Sequence, residues 1–547
     1  MKLQGSVCTA AMVILALWVV TAAAEPTPGK TTVLGPFTGA EAPLHPANQS
    51  PRLDYYGTDL GWSYEHNGKL VFLFGDTNKA GSFEPVGKIH DDSFGTIDLS
   101  RWPDPAQITP QHLPRVKIGQ VPGSSRVMAL DPGYVSDSLK TPEGGFSNGK
   151  REFILFILTK PRGCMTDAQC GNSLTCDNGL GYRGPKFFQE AGLTQGCMDG
   201  SPGCNDDPLF DHGKPVSGSG LCSDMTSSYW ADTPAGRVSG MAMKMRVGVR
   251  SLSDPAKYTK VRDWLTNKFI NTALRTVQDF VPANGPGYEH QDYRPATGQG
   301  GHRRVLLWGR PGFVGVAADD RSLGLYFAYV DMPAGPHFKW KIHYFTGTGP
   351  NGVPQFSSRE KKAAALDLDS QRPGVQPREM HDVVQHMSIV WIQRLKKWVM
   401  FYGGGMTRST VSNPALPPDC GILYLFAGNA CHDVVIGNGA IRMRTADNPW
   451  GPWSPPRDVL VGGAPGARPP GGQYASGGIM HHPRCTGPDC EPGSPFKAFG
   501  KDEYGWLYGT NIIEQWIRPA GDGVDVIWNA STWDPYRVVL LRTHINP

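Results

Sequence analysis

Short apolar runs rich in Val, Ile, Leu, Phe and Trp recur along this chain, each closed by a turn of Gly, Asp, Asn or Pro. They include 69-KLVFLFGD-76, 152-EFILFILT-159, 241-MAMKMRVGVR-250, 303-RRVLLWGR-310 and 323-LGLYFAYV-330. The series continues with 388-SIVWI-392, 397-KWVMFYGG-404, 440-AIRMRTA-446, 505-GWLYGTNI-512, 524-VDVIWNAS-531 and 536-YRVVLLRT-543. Runs of this length and composition, bounded by turn residues, predict strands. Only 264-WLTNKFINTALRTVQDF-280 has a helical period with no Pro or Gly across it, and it predicts a helix. Two strand ends resemble each other, 250-RSLSDP-255 and 444-RTADNP-449. Many short strands, a recurring strand end and few helices predict an all-β chain built by radial repetition, a β-propeller. A β-sandwich is the competing architecture, but the chain is long for one sandwich.

Composition refines that picture. Gly (68) and Pro (48) interrupt the chain too often for long helices. A net charge of +4 with no Lys/Arg run excludes nucleic acid as the main partner. Residues 1–24 carry a lysine, a short apolar core and the small-residue stretch TAAA, and read as an export signal cleaved near Ala24. No later run is long enough to span a membrane, and Cys8 precedes the apolar core, so no membrane anchor is expected. The expected location is secreted or periplasmic. Residues 25–50, rich in Pro, Thr and Gly, read as an extended lead-in to a propeller over 51–547.

Of eleven cysteines, ten follow the signal, an even number suited to an oxidising compartment. Cys164, Cys170, Cys176, Cys197, Cys204 and Cys222 cluster within 162–235, a strand-poor stretch read as a disulfide-stapled insertion. Cys420 and Cys431, then Cys485 and Cys490, form two further local groups. No paired CxxC or HxxxH spacing supports zinc, and neither 205-NDDPLFD-211 nor His481–His482 matches a calcium loop, so no metal or cofactor is expected.

Candidate chemistry begins at 55-YYGTDLGWSYEHNGKLVFLFGDTN-78. Gly57 and Gly61 allow tight bends on either side of Asp59, and Asp76 closes a strand. Functional side chains gather at such strand ends, although an Asp beside Gly is more often a turn-former bonding its own backbone. The stretch GTDLG…LFGDT, with SIVWIQRLKKWVMFYGGG and the closing STWDPYRVVLLRT, resembles a secreted bacterial family long catalogued as a domain of unknown function. That family includes endo-D-arabinanases. The resemblance covers roughly 52–547 apart from the cysteine-rich insertion, and its opening and closing motifs are the specific ones.

The resemblance implies a five-bladed β-propeller and a glycoside hydrolase acting on a furanoside polysaccharide such as D-arabinan. Glycosidic cleavage passes through an oxocarbenium-like state that paired carboxyl groups can serve. Asp59 is implied as nucleophile or base, with Asp76 and the 90-HDDS-93 acids Asp91 and Asp92 as partners. One departure concerns the acid: Gln385 and His386 stand where a glutamate is expected. His386 would serve as general acid if its pKa were raised; otherwise it is a packed core histidine. Glu379 and Glu289, the latter beside His290 and Asp292, are the other candidates.

Aromatic rings stack on the C–H faces of sugars, which makes Trp62, Trp308 and Tyr402 candidate substrate contacts together with His290. Tyr64, Trp450, Trp453, Trp533 and Tyr536 also lie near strand ends, and packing between blades is the plainer reading for most of these rings. A monomer with a polysaccharide substrate is expected. A carbohydrate-binding or surface-interaction propeller without hydrolysis is the alternative, and a lyase or transferase on the same fold is a third.

Overall fold

The run Lys69–Phe74 is a strand buried on both faces. Leu70, Phe72 and Phe74 pack one way, among Ile513, Trp516, Ile527 and Leu540. Val71 and Leu73 pack the other way, with Ile154 and Phe156. Period-two side chains buried on both faces place a strand in a sheet that lies between two other sheets. In this computed structural model the arrangement repeats around an axis as an all-β, five-bladed β-propeller. The structure describes residues 25–39, 53, 55, 57–77, 92–132, 140–161, 163–164, 166, 175–177, 210–211, 214–215, 220–223, 243–266, 268–278, 294–295, 303–310, 325–332, 339–349, 352–368, 386–403, 441–460, 507–532 and 537–547.

Each blade is antiparallel and its first strand is innermost. Blade 1 runs Leu60–His66, Lys69–Phe74, Ser93–Asp98, Lys117–Ile118. Blade 2 runs Lys140–Ser147, Glu152–Pro161, Met243–Arg250, Tyr258–Thr266. Blade 3 is built on Asn271–Gln278, Arg304–Arg310, Tyr326–Asp331 and Ile342–Thr348, with the short Arg294–Pro295 and Pro354–Ser357 at its edges. Blade 4 comprises Met387–Ile392, Lys397–Gly403, Ile441–Ala446 and Arg457–Leu460. Blade 5 takes Leu507–Ala520, Gly523–Thr532 and Arg537–Asn546 from the end of the chain. Its outer strand is Thr27–Pro36, from the segment expected as a lead-in.

The innermost strands touch in the order blade 1, 2, 3, 4, 5 and back to 1, which closes the ring around a channel. The core is correspondingly divided into clusters between successive blades. Trp308, Trp398, Trp450 and Trp453, for example, fill the gap between blades 3 and 4. The two similar strand ends have matching roles: Arg250 bonds the Tyr258 hydroxyl at 2.9 Å, and Arg444 bonds the Tyr402 hydroxyl at 2.8 Å.

The helix expected over 264–280 is not formed. Tyr258–Thr266 and Asn271–Gln278 are strands. Ala273 and Val277 face blade 4 while Leu274 faces blade 2, a period of two that burial on both sides hides in the sequence. Thr272, Thr276 and Val277 are β-branched and suit a pleated strand, so tertiary packing overrides a weak helical pattern.

The cysteine-rich stretch leaves blade 2 between Glu152–Pro161 and Met243–Arg250. Within it, Gly220–Ser223 pairs with Gly163–Cys164 and Thr175–Asp177, which sets Cys176 opposite Cys222. Apart from Cys164, Cys176 and Cys222, the cysteines lie outside the described residues, as do the export signal and His481–His482. Among the described residues no helix is long and apolar enough to cross a membrane.

Candidate active site

Asp59 stands immediately before the innermost strand of blade 1, in a turn held from several sides. Leu60 has φ 62° and Gly61 φ 84°. A left-handed leucine costs on the order of 1–3 kcal/mol and persists only where its surroundings fix it. Here Asn529 Nδ2 donates to the Leu60 carbonyl at 2.8 Å, and Asn511 Nδ2 donates to the Gly61 carbonyl at 3.0 Å. The Tyr508 hydroxyl donates to Asp59 Oδ2 at 2.7 Å. Gly75 is required by close approach, because a Cβ there would lie 2.3 Å from Asp59 Oδ1. Asp59 is buried, so its orientation is set by blades 1 and 5 together.

The register of blade 1 aligns Leu60 with Phe74 and Phe74 with Ser93. Asp59, Asp76 and Asp92 therefore belong to the same end of the blade, in order outward from the axis. Asp76 is half-buried and Asp92 buried. A hydroxyl ladder ties this end together: Thr58 and Thr77 are 3.1 Å apart, and Thr77 and Ser93 2.7 Å apart.

The carboxyl that sequence reasoning missed is Glu143. The pairing of Lys140–Ser147 with Glu152–Pro161 skips a residue between Pro142 and Gly144, so Glu143 is the bulged residue. Bulges re-aim a side chain, and this one turns Glu143 toward blade 3. Its Oε2 accepts from the Thr272 N–H at 3.2 Å. Among the described residues no hydrogen bond reaches Oε1. Burial pushes its pKa from 4.5 up to about 8, against smaller lowering pulls from the Thr272 bond and Arg310. Glu143 is therefore a carboxylic acid at neutral pH, able to donate a proton. The signal in the sequence is 141-TPEGG-145, where an acid sits among strand-breaking residues.

His386 precedes the innermost strand of blade 4, beside Trp62 (5.7 Å between ring centroids) and Tyr508 (6.0 Å). Its Nδ1 accepts from the Gly509 N–H at 3.3 Å. Burial lowers its pKa to about 3, and the Arg310 charge pulls the same way. The raised pKa that a general-acid role needs is absent. His386 is therefore the packed, neutral alternative, and of the two groups Glu143 is the one that holds a proton near neutral pH.

Asp59, His386 and Tyr508 lie at the beginnings of innermost strands, hence at one end of the channel, and Glu143 reaches from mid-strand to Thr272 at the start of the next. There the channel narrows to a space of about 10 Å³ lined by residues of all five blades, among them Trp62, Glu143, Thr272, Met387 and Asn511. That is about the minimum for one water. Trp62 is thus one of the residues lining the channel.

Two other expected contacts are corrected. Trp308 is fully buried, donates from Nε1 to the Pro449 carbonyl at 2.6 Å and packs 5.3 Å from Trp398. Tyr402 is fully buried under Arg444. Both lie in second strands, where both faces are covered, and neither can reach a ligand. Trp450 and Trp453 are core residues as well, and Tyr64 bonds Glu152 at 2.8 Å. Glu289, His290, Asp292, Glu379, Asp91, Trp533 and Tyr536 lie outside the described residues.

Fold and geometry together define a β-propeller with acidic side chains gathered at one mouth. No family model and no curated protein matches the chain. Among solved structures it is similar to a candidate hydrolase from Bacteroides ovatus, at 10% identity over 90% of this chain and 86% of the other, with a TM-score of 0.36. It is similar to an alpha-L-arabinofuranosidase from Podospora anserina in complex with cellotriose, at 9% identity over 95% and 98% of the chains and a TM-score of 0.33. A beta-xylosidase gives 9% identity over 90% and 92%, also at 0.33. Likeness this weak carries no argument for a shared activity.

Proposed function

We propose that this protein is a secreted, monomeric glycoside hydrolase that cleaves a furanoside polysaccharide such as D-arabinan without a cofactor. Asp59 is the nucleophile or base, and Glu143 donates its proton to the oxygen of the departing sugar. What supports the reading is an Asp59 held in place by Tyr508 and, on the innermost strand of the neighbouring blade, a buried Glu143 whose pKa is raised to about 8. Acid-assisted glycosidic cleavage needs one carboxyl group that donates a proton and a second that attacks or accepts one. Asp76 and Asp92, at the same blade end, would add negative charge near the oxocarbenium-like state.

The test is release of reducing ends from arabinan and arabinogalactan panels by wild type, Asp59→Asn and Glu143→Gln. The expected result is activity on a furanoside polymer, with losses of at least about a hundredfold in both variants and, for Asp59→Asn, little change in melting temperature. Full activity in Asp59→Asn would sink the assignment. The near-complete burial of Glu143 favours one other reading, a propeller that binds glycans without cutting them. Glycan-array binding without turnover, unchanged by Asp59→Asn, would establish that alternative.

A further inference from the structure

The channel has a second polar cavity, of about 190 Å³, toward the far ends of the innermost strands. It is lined by Ser63, Ser147, Arg275, Thr276, Glu514 and Gln515, with Tyr64 and Phe146 as its aromatic members. Arg275 stands between it and the narrow waist and lines both. Its guanidinium donates to Ser388 Oγ at 2.8 Å on blade 4 and to the Ile512 carbonyl at 3.1 Å on blade 5. Neither Asp59 nor Glu143 lines this cavity.

A strand irregularity builds the second one. Ile512 pairs with Trp528, but the next paired residue is Ile517, opposite Val526. The residues between them bulge. Ile513 and Trp516 turn into the core shared by blades 5 and 1, while Glu514 and Gln515 face the cavity. The ladder bonds lost there are replaced by side chains: Ser388 accepts from the Ile512 N–H at 2.8 Å, and Arg275 holds the Ile512 carbonyl. An innermost strand that gives up ladder bonds to present two polar side chains is a recurrent device beside functional sites.

The lining selects the ligand. A small anion is disfavoured, because Arg275 is spent on Ser388, Ile512 and the Leu274 carbonyl and faces Glu514. A metal ion is disfavoured, because no group of three acidic, His or Cys side chains is gathered among the described residues. What remains is a mixed set of hydroxyl, amide and carboxyl groups, since Tyr64 and Phe146 turn their rings into the cores between blades. That set suits a neutral polyhydroxyl ring, whose hydroxyls exchange hydrogen bonds with the polar groups. The volume is below the range of about 300–1,000 Å³ usual for drug-sized ligands, so it admits one ring rather than a chain. We propose that this cavity, at the opposite end of the channel from Asp59, is a binding site for a single neutral monosaccharide unit of a glycan.

The test uses methyl α-D-arabinofuranoside and methyl β-D-xylopyranoside as probes, read by saturation-transfer NMR and titration calorimetry on Asp59→Asn protein. Binding there does not depend on hydrolysis, so failure of the proposed activity and failure of this site give different results. At least one probe should bind with a dissociation constant of about 1–10 mM, ordinary for so small a ligand. Thr276→Trp, which fills the cavity from a half-exposed strand position, should weaken binding at least about tenfold, with hydrolysis of polymer unchanged. Gln515→Leu, which removes hydrogen bonds without adding bulk, should weaken it in the same direction and guards against misfolding of the tryptophan variant. Absence of binding by both probes, or binding untouched by both cavity substitutions, would overturn the proposal.

Discussion

Replacing Glu143 by glutamine should change how stability depends on pH more than it changes the fold. In the native protein burial holds the Glu143 pKa at about 8, against 4.5 when the chain is unfolded. Folding therefore favours the protonated form. Its contribution is fully present below about pH 4.5 and is lost as pH rises toward 8. At about 1.4 kcal/mol per pH unit, the loss across that window reaches up to about 5 kcal/mol. Glutamine keeps an oxygen that can accept from the Thr272 N–H and never ionises. Glu143→Gln should match wild type near pH 4.5 and become progressively more stable than it toward pH 9. Guanidinium unfolding of both proteins at pH 4.5, 6, 7.5 and 9 reads the difference directly, and acid effects from other groups cancel in it. Activity should move oppositely. Wild-type hydrolysis should fall as pH passes about 8, and the variant should be inactive throughout. A stability difference that stays flat from pH 4.5 to 9 would refute the buried-acid assignment.

Gly75→Ala should disturb both fold and activity, because the added Cβ would come within 2.3 Å of Asp59 Oδ1; unimpaired activity would show that this carboxylate is not in place for catalysis. His386, with its pKa lowered from 6.5 to about 3, contributes stability that is present above pH 6.5 and lost as pH falls toward 3. His386→Asn, whose side-chain oxygen can accept the Gly509 N–H, should flatten that acid limb in a thermal-melt series, and an unchanged limb would count against it. Trp308→Ala should cost about 3–5 kcal/mol of stability, the range for large core truncations, while leaving the KM of the folded protein unaltered. A raised KM with unchanged stability would return Trp308 to the ligand site.

The strands legible in the sequence were those with both faces buried. Lys69–Phe74, Glu152–Pro161, Arg304–Arg310 and Lys397–Gly403 read as apolar runs because each is covered on both sides. The innermost strands of blades 1 to 3 were obscured for the opposite reason. Leu60–His66, Lys140–Ser147 and Asn271–Gln278 border the channel and carry Gly, Pro, polar and charged residues. Asp59 was legible because glycines bracket it. Glu143 was not, because Pro142 and Gly144 mark only a break in the strand, while its raised pKa comes from burial against blade 3, which has no local signature. Trp308 and Tyr402 misled because an aromatic near a strand end looks alike whether it faces a ligand or the next blade.

The outer strand of blade 5 carries a consequence for how the molecule is made. Thr27–Pro36 pairs with Arg537–Asn546, its Thr31 bonds the Val459 carbonyl of blade 4 at 2.6 Å, and Glu25 meets Lys397 at 3.2 Å. The first part of the propeller to leave the ribosome thus waits for the last before it gains a partner. Bringing such ends together across about 500 residues costs on the order of 5–6 kcal/mol of chain entropy. Pairing at that separation is slow, and until it happens the edges of blade 5 stay open to other chains. The closing strand is a timing device as well as a clasp, because blade 5 is completed only when Thr27–Pro36 meets Arg537–Asn546.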